Sequence, residues 1–517
     1  MKLKIIQGGR LALFTWMVCS AAVLHADIKL PAIFSDHAVL QKGSKVPVWG
    51  KAAPGEDVSV AIGGVTAKTR TRGDGRWAVR LDLLRLGPGP FEMEIKGRNT
   101  MVIHDVLIGE VWLASGQSNM EWWLKNNRAD KQEVADSENN QLRQFLVNQA
   151  MVPERADEMA GGWSVAGPQT SGGFSAVGYY FGKALQKELR TPVAIINASR
   201  GRTGIEGWIS EDGLAHDDEL AAAARRYKAE RETPAAPQAD AAVVKKPKEP
   251  EQIGGYLFNG MIAPLVPYAI RGVIWYQGET NAGRAWQYRT AFPLLIQDWR
   301  AQWGQGDFPF YFCQLANHGG KSREHMESGW SEIREAQSKA LELLNTGQAV
   351  LIDIGEAADV HPRNKRDVGD RLSRLALAQT YGRKIVYSGP VYAGMTVAGE
   401  TVKLHFEHAE GGLVARPLPG SYKPSSVEEK EVPLMRNSSD SELEGFEICG
   451  EDRKWMWALA RIKGDEIEVW SPAVTEPVAV RYAWAMNPTC NLYNGAGLPA
   501  SPFRTDTFPV STVDVRY

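Results

Sequence analysis

Apolar and polar positions alternate along residues 27 to about 104 in short runs such as Val46-Pro-Val-Trp49, Val58-Ser-Val-Ala-Ile62 and Trp77-Ala-Val-Arg-Leu81. A period of two puts one side of a strand in a core and the other in water. Turn signals separate the runs: Pro54-Gly55, Gly63-Gly64, Gly73-Asp-Gly75 and Gly87-Pro-Gly89. This regular spacing predicts an N-terminal β-sandwich domain over 27–105. His37 and His104 fall inside it and read as structural.

From Val106 the pattern changes. Wholly apolar runs now alternate with helical ones, which predicts an α/β domain over 106–385 with a mostly parallel sheet. Strands are expected at Val106–Leu113, Val193–Ile196, Ile270–Tyr276, Phe308–Leu315 and Ala349–Ile354. Helices are expected at Ser175–Arg190 (Val177, Tyr180, Phe181, Leu185 and Leu189 on one face), 211–230, Tyr288–Trp303, Trp330–Leu344 and after Pro362. Residues 231–254 are rich in Ala, Pro and Lys without period, which predicts a disordered surface insertion. Beyond 386 alternation returns in Thr401-Val-Lys-Leu404, Glu466-Ile-Glu-Val-Trp470 and Val478-Ala-Val-Arg-Tyr482, so a C-terminal β-rich domain is expected over 386–517. Asn494–Pro502 reads as a polar, proline-rich loop too irregular for a core.

Composition adds little. A length of 517 residues fits roughly three domains at ~150 residues each. A formal net charge of -2 gives no case for nucleic acid or an anionic membrane as partner. Seventeen tryptophans against fifteen tyrosines is a weak hint of stacking on sugar rings. Lys2, Lys4 and Arg10 precede the apolar run Leu11–Leu24, and Ala26 suits a cleavage site, so 1–26 is expected to be an export signal and the mature chain periplasmic or secreted. The run is shorter than the ~20 residues of a membrane span, and no later segment reads as one. Cys19 leaves with the signal; Cys313, Cys449 and Cys490 allow at most one internal disulfide and fit no metal site.

The chemistry lies at strand ends, where open α/β sheets bind ligands. Val111-Trp-Leu-Ala-Ser-Gly-Gln-Ser118 is a buried strand that breaks at a turn and delivers one hydroxyl. Ser118 is either a nucleophile, if a base lies within reach, or a turn and helix-cap residue. It is not in a Gly-x-Ser-x-Gly elbow, because Met120 stands where the second glycine would be. Among nine histidines His361 is the best base. It follows a buried strand, precedes a helix, and has Asp359 two residues before it to hold its tautomer. His318 is the rival. Two further corners offer oxyanion donors: the backbone of Gly201 and the amide of Gln277.

Three of these motifs, Gly116-Gln-Ser-Asn-Met120, Trp275-Tyr-Gln-Gly-Glu-Thr-Asn-Ala282 and Asp359-Val-His-Pro362, resemble the sialate O-acetylesterase family, a branch of the SGNH (GDSL-like) hydrolases. The likeness extends to Phe34–Gln41, Phe258–Pro264 and Gly497–Arg504, and so covers nearly the whole mature chain. It implies a flavodoxin-like three-layer core, no metal or cofactor, and removal of acetyl groups from an O-acetylated glycan. It makes Ser118 the nucleophile, His361 the base and Asp359 the orienting carboxylate. The oxyanion hole would combine Ser118, Gly201 and Gln277, and Arg202, Trp122, Glu279 and Asn281 become substrate-binding candidates. Two departures stand out. SGNH enzymes place the aspartate three residues before the histidine, where this chain has Ala358, so a Ser–His dyad is an alternative to a triad. Arg202 stands where the family usually has a second glycine. Acetylated hemicellulose, bound by aromatics such as Trp122, Trp123 or Trp286, is the alternative to sialic acid, which would use Arg202 or Arg284. A non-catalytic carbohydrate-binding protein is the alternative of another class.

Overall fold

A computed structural model describes residues 27–43, 45–127, 130–232, 253–427, 429–438 and 440–517. The expected export signal lies outside these residues, as does the expected insertion apart from its two ends.

The N-terminal unit holds β1 (Val39–Gln41), β2 (Lys45–Lys51), β3 (Asp57–Ile62), β4 (Val65–Arg70), β5 (Arg76–Asp82) and β6 (Phe91–Lys96). Residues of β5 are exposed and buried in strict alternation, as the sequence pattern requires. Strand β5 pairs antiparallel with β2, while β4, β3 and β6 form a second ladder.

The next strand, β7 (Thr100–Gly116), belongs to both halves of the molecule. It pairs antiparallel with β6 up to Val106, then parallel with β1 over Leu107–Gly109. Over Glu110–Gly116 it is flanked by β10 (Val193–Ser199), and over Trp112–Gly116 by β11 (Gly272–Tyr276). The boundary expected between 105 and 106 therefore falls inside one continuous strand. The change of pattern at Val106 marks the point where the second face of that strand becomes covered.

With β8 (Asn139–Val147), β9 (Gly161–Ala166), β12 (Phe310–Cys313) and β13 (Thr346–Ala349), the core sheet runs β13-β12-β11-β7-β10-β8-β9. Every pair is parallel except β8–β9. Helices cover both faces. Trp275 packs edge-on against Trp299 of the helix Ala285–Trp303, with ring centroids 5.8 Å apart. Its neighbour Tyr276 points to the opposite face, as alternation along a strand demands. There Lys365, at the start of the helix Lys365–Leu375, lies over its ring at 5.4 Å. The core is thus a three-layer α/β sandwich.

Two stretches differ from expectation. The run expected as a strand over Ala349–Ile354 is buried as far as Ile352, but the strand ends at Ala349, because Val350 and Ile352 leave the sheet to join the C-terminal core. That core lies in a β-rich domain whose two four-stranded sheets pack Val402, Leu404, Ile467, Phe446, Ile448 and Val480 together. The loop Asn494–Pro502 is irregular yet contributes to it, with Ala500 fully buried, since the Asn494 amide supplies bonds to Ser388, His408 and Leu498 that a strand partner would otherwise give. Cys313, Cys449 and Cys490 are each free.

Candidate active site

Strand β7 ends at Gly116, whose φ is 132°. A Cβ here would lie 2.1 Å from the Tyr276 carbonyl oxygen, so only glycine fits the turn. The Gln117 N–H donates to that same oxygen, and Ser118 opens the short helix Ser118–Glu121. Among the described residues nothing accepts the Ser118 N–H.

Asp359, His361 and Arg363 reach the site from the loop that precedes the helix Lys365–Leu375, whose N-cap Asn364 accepts from the Asp367 N–H. The Ser118 hydroxyl lies 2.9 Å from His361 Nε2. On its other side, His361 Nδ1 lies 2.9 Å from Asp359 Oδ1, which also accepts the His361 backbone N–H. A carboxylate can only accept, so the imidazole proton sits on Nδ1 and Nε2 is left to accept from Ser118. Arg363 donates to the second carboxylate oxygen at 2.6 Å. Trp122 stacks on the His361 ring with centroids 5.2 Å apart, and the Arg363 guanidinium lies 4.8 Å from the same indole.

Burial holds the His361 pKa below its ordinary value; the Lys365 and Arg363 cations push the same way, and Asp359 opposes them. Burial pushes the Asp359 carboxyl up, but its bonds from His361 and Arg363 outweigh this and hold it below its usual range. At neutral pH the pair is a neutral base beside an anion.

Beneath this layer lies a second one. Lys365 is fully buried, and its ammonium donates to Asn119 Oδ1. The Asn119 amide nitrogen donates to Glu279 Oε1 at 2.5 Å and to the Val360 carbonyl at 3.1 Å. Glu279 Oε2 is enclosed without a hydrogen-bond partner among the described residues. Burial raises the Glu279 carboxyl and pulls Lys365 down to about 7.

Residues 251–376 match the family model described as carbohydrate esterase, sialic acid-specific acetylesterase. A solved carbohydrate acetylesterase from Xanthomonas citri is 37% identical, covers 93% of this chain and 100% of its own, and superposes with a TM-score of 0.79. The sialate O-acetylesterases of Mus musculus and Homo sapiens are 29% and 27% identical, covering 92% and 96% of this chain and 94% and 96% of their own. The chain belongs to the sialate O-acetylesterase family of carbohydrate esterases. Membership makes it an ester hydrolase and sets the purely sugar-binding alternative aside.

For a member of this family, the oxyanion donors expected from sequence need correction. Gln277 is fully buried, and its two amide N–H bonds go to Asn281 Oδ1 at 2.7 Å and the Thr203 carbonyl at 3.1 Å. The Tyr288 hydroxyl donates to its oxygen. With both donors spent inward, Gln277 holds the strand end together and has none for a substrate. Asn281 is likewise consumed by Gln277, the Ile205 N–H and Glu206, and is no substrate contact. Glu279 lies in the layer below Ser118 and faces Asn119.

Gly201 does flank Ser118: a Cβ on it would lie 3.3 Å from Ser118 Cβ. Its N–H, however, donates to Glu121 Oε2 at 2.7 Å, and Gln149 braces the other oxygen of that carboxylate. Arg202 is exposed, with φ at 64°. Arg284 is bound to Glu206. His318 faces the Glu356 carbonyl and Trp330 instead of Ser118.

Sequence reasoning passed over Glu121, Asn119, Arg363 and Lys365. Lys365 did carry a signal: a cation in the first turn of a helix opposes the macrodipole, so its position needs another reason. Glu121 and Asn119 carried none, because their partners Gly201 and Glu279 lie 80 and 160 residues away, whereas Arg363 stands only four residues from its partner Asp359.

Proposed function

We propose that this protein is a serine esterase that removes O-acetyl groups from carbohydrate, with O-acetylated sialic acid as its substrate. The observation that carries the chemistry is the unbroken hydrogen-bond line from Ser118 Oγ through His361 to Asp359, each link 2.9 Å long. Ser118 attacks the acetyl carbonyl while His361 takes its proton. The oxyanion forms against the Ser118 N–H, with the Gly201 N–H as second donor once the ester displaces the Glu121 carboxylate. The sugar hydroxyl leaves with the proton held by His361. A water molecule, deprotonated by His361, then releases acetate and restores Ser118. Asp359 stays ionised and steadies the imidazolium.

The related sialate O-acetylesterases support the choice of sugar, and the exposed Arg202 beside Gly201 supplies a cation for its carboxylate. Glu121 favours a second reading. An anion beside the nucleophile repels an acidic sugar and suits a neutral one, such as acetylated xylan or xyloglucan.

The test is acetate release by the wild type and Ser118→Ala from 9-O-acetylated sialic acid and acetylated xylo-oligosaccharide in parallel. Release by the wild type alone supports the nucleophile, and the faster substrate names the sugar. Equal release by Ser118→Ala refutes the mechanism. The basic and apolar start of the chain supports a further proposal, export to the periplasm or medium, which N-terminal sequencing of the mature protein checks.

A further inference from the structure

The buried layer under Ser118 and His361 has no place in the chemistry so far. A lysine taken out of water costs several kcal/mol unless it is well paired. Lys365 is fully buried, yet among the described residues its ammonium hydrogen-bonds only to a neutral amide, Asn119. Its ammonium also lies over two aromatic rings, Tyr276 at 5.4 Å and Trp122 at 5.6 Å. The Glu279 carboxyl is reached through Asn119, and its other enclosed oxygen has no hydrogen-bond partner among the described residues. As a stabilising ion pair this arrangement is poor.

Its connections make better sense as control of the base. Asn119 is the residue after Ser118, and it donates to the carbonyl of Val360, the residue before His361. One side chain thus ties the nucleophile turn to the base loop. Trp122, over which the Lys365 ammonium lies, is the surface on which the His361 ring stacks.

We propose that Asn119 is a positioning residue that registers His361 against Ser118, and that the buried Lys365 cation keeps His361 in its neutral, proton-accepting form. The inference rests on the reading of Ser118 and His361 given above. The charged groups acting on His361 are Asp359, Lys365 and Arg363. Those acting on Lys365 are Glu279, Asp359 and Glu356; the Cys313 thiol also faces it, but burial pushes that thiol up and keeps it neutral. Burial is the largest influence against the imidazolium, and the Lys365 and Arg363 cations add to it against Asp359, so His361 can take a proton from Ser118 at a lower pH than an ordinary histidine beside an aspartate. The sign is consistent, because Lys365 is itself cationic at pH values where His361 titrates.

The test reads the base directly. His361 is titrated by NMR in histidine-labelled Ser118→Ala protein, its signal assigned by its loss in His361→Asn. Adding Lys365→Met moves the titration to higher pH, as does Glu279→Gln with Lys365→Met, which removes both buried charges; Lys365→Arg leaves it low. An unmoved or lowered titration in both Met variants overturns the electrostatic role. In the otherwise native enzyme, Asn119→Ala lowers kcat ~100-fold with KM little changed, as a misplaced base should. An unchanged kcat, or a loss confined to KM, overturns the positioning role. The titration does not depend on turnover, so it stands even if Ser118→Ala still releases acetate and the esterase mechanism falls.

Discussion

Asp359→Asn distinguishes a working triad from a dyad, and the structure sets the size of the effect. The carboxylate makes three bonds: Oδ1 accepts the His361 Nδ1–H and N–H, and Oδ2 accepts from Arg363. Asparagine has one oxygen and can face either way. With its oxygen toward His361 it keeps two of the bonds but aims an amide N–H at the guanidinium. With its oxygen toward Arg363 it loses both His361 bonds and forces the other tautomer, in which Nε2 carries a proton and cannot accept from Ser118. The first orientation forfeits one charge-assisted bond, the second forfeits two, so the first prevails. Losing the carboxylate charge and that bond costs about 2–3 kcal/mol, or ~30- to 150-fold in kcat/KM. This is well short of the ~10,000-fold loss expected when the wrong tautomer wins. Initial rates on an aryl acetate and an acetylated sugar, with folding checked by circular dichroism, measure it. A loss under about threefold would show that a Ser–His pair suffices and refute the role given to Asp359; a loss near 10,000-fold would refute the orientation argument.

Three further outcomes follow from the same geometry. Because burial and the nearby cations depress His361, kcat/KM is flat near neutrality and falls only as pH drops through a point below 6.5; a pH profile with its acid limb above 6.5 contradicts this. Asp359→Asn removes the one group that raises His361, so its limb lies lower still. Gln277→Leu takes the side-chain partner from the Tyr288 hydroxyl and the Thr203 carbonyl and one of the two donors from Asn281 Oδ1, and costs about 2–4 kcal/mol of stability, read as a lower urea midpoint; an unshifted midpoint with a large loss of kcat would return Gln277 to the oxyanion hole. Glu121→Gln keeps an acceptor for the Gly201 N–H but removes the charge, and raises kcat/KM for acetylated sialic acid relative to acetylated xylose several-fold; an unchanged ratio rules out charge selection by Glu121.

The order of elements was legible because buried strands and amphipathic helices carry different periods. The meeting of Ser118 with His361, 243 residues away, was legible only through the function that strand ends share in parallel sheets. Side-chain direction was not legible. Gln277 and Ser118 both stand at strand ends, but Tyr288 and Thr203 draw Gln277 inward, and no local pattern records that. Likewise Gly201 beside Arg202 advertises a free amide, while its acceptor Glu121 arrives from 80 residues away. Apolar runs mark burial without saying in which core, which is why Val350 and Ile352 read as sheet residues although they serve the C-terminal domain.

Strand β7 constrains how a protein like this can be inherited or rebuilt. One ribbon of seventeen residues, spanning roughly 50 Å, begins in the N-terminal unit and ends two residues before Ser118. There is no linker at which recombination could exchange the first unit for another. A crossover anywhere between Thr100 and Gly116 severs hydrogen-bonded ladders on at least one side. A slip of one residue at the distal end would turn every side chain of the ribbon over and aim the Ser118 turn at the wrong face. The N-terminal unit is therefore a mould for the Ser118 turn, and a minimal esterase cut from this chain must carry it along.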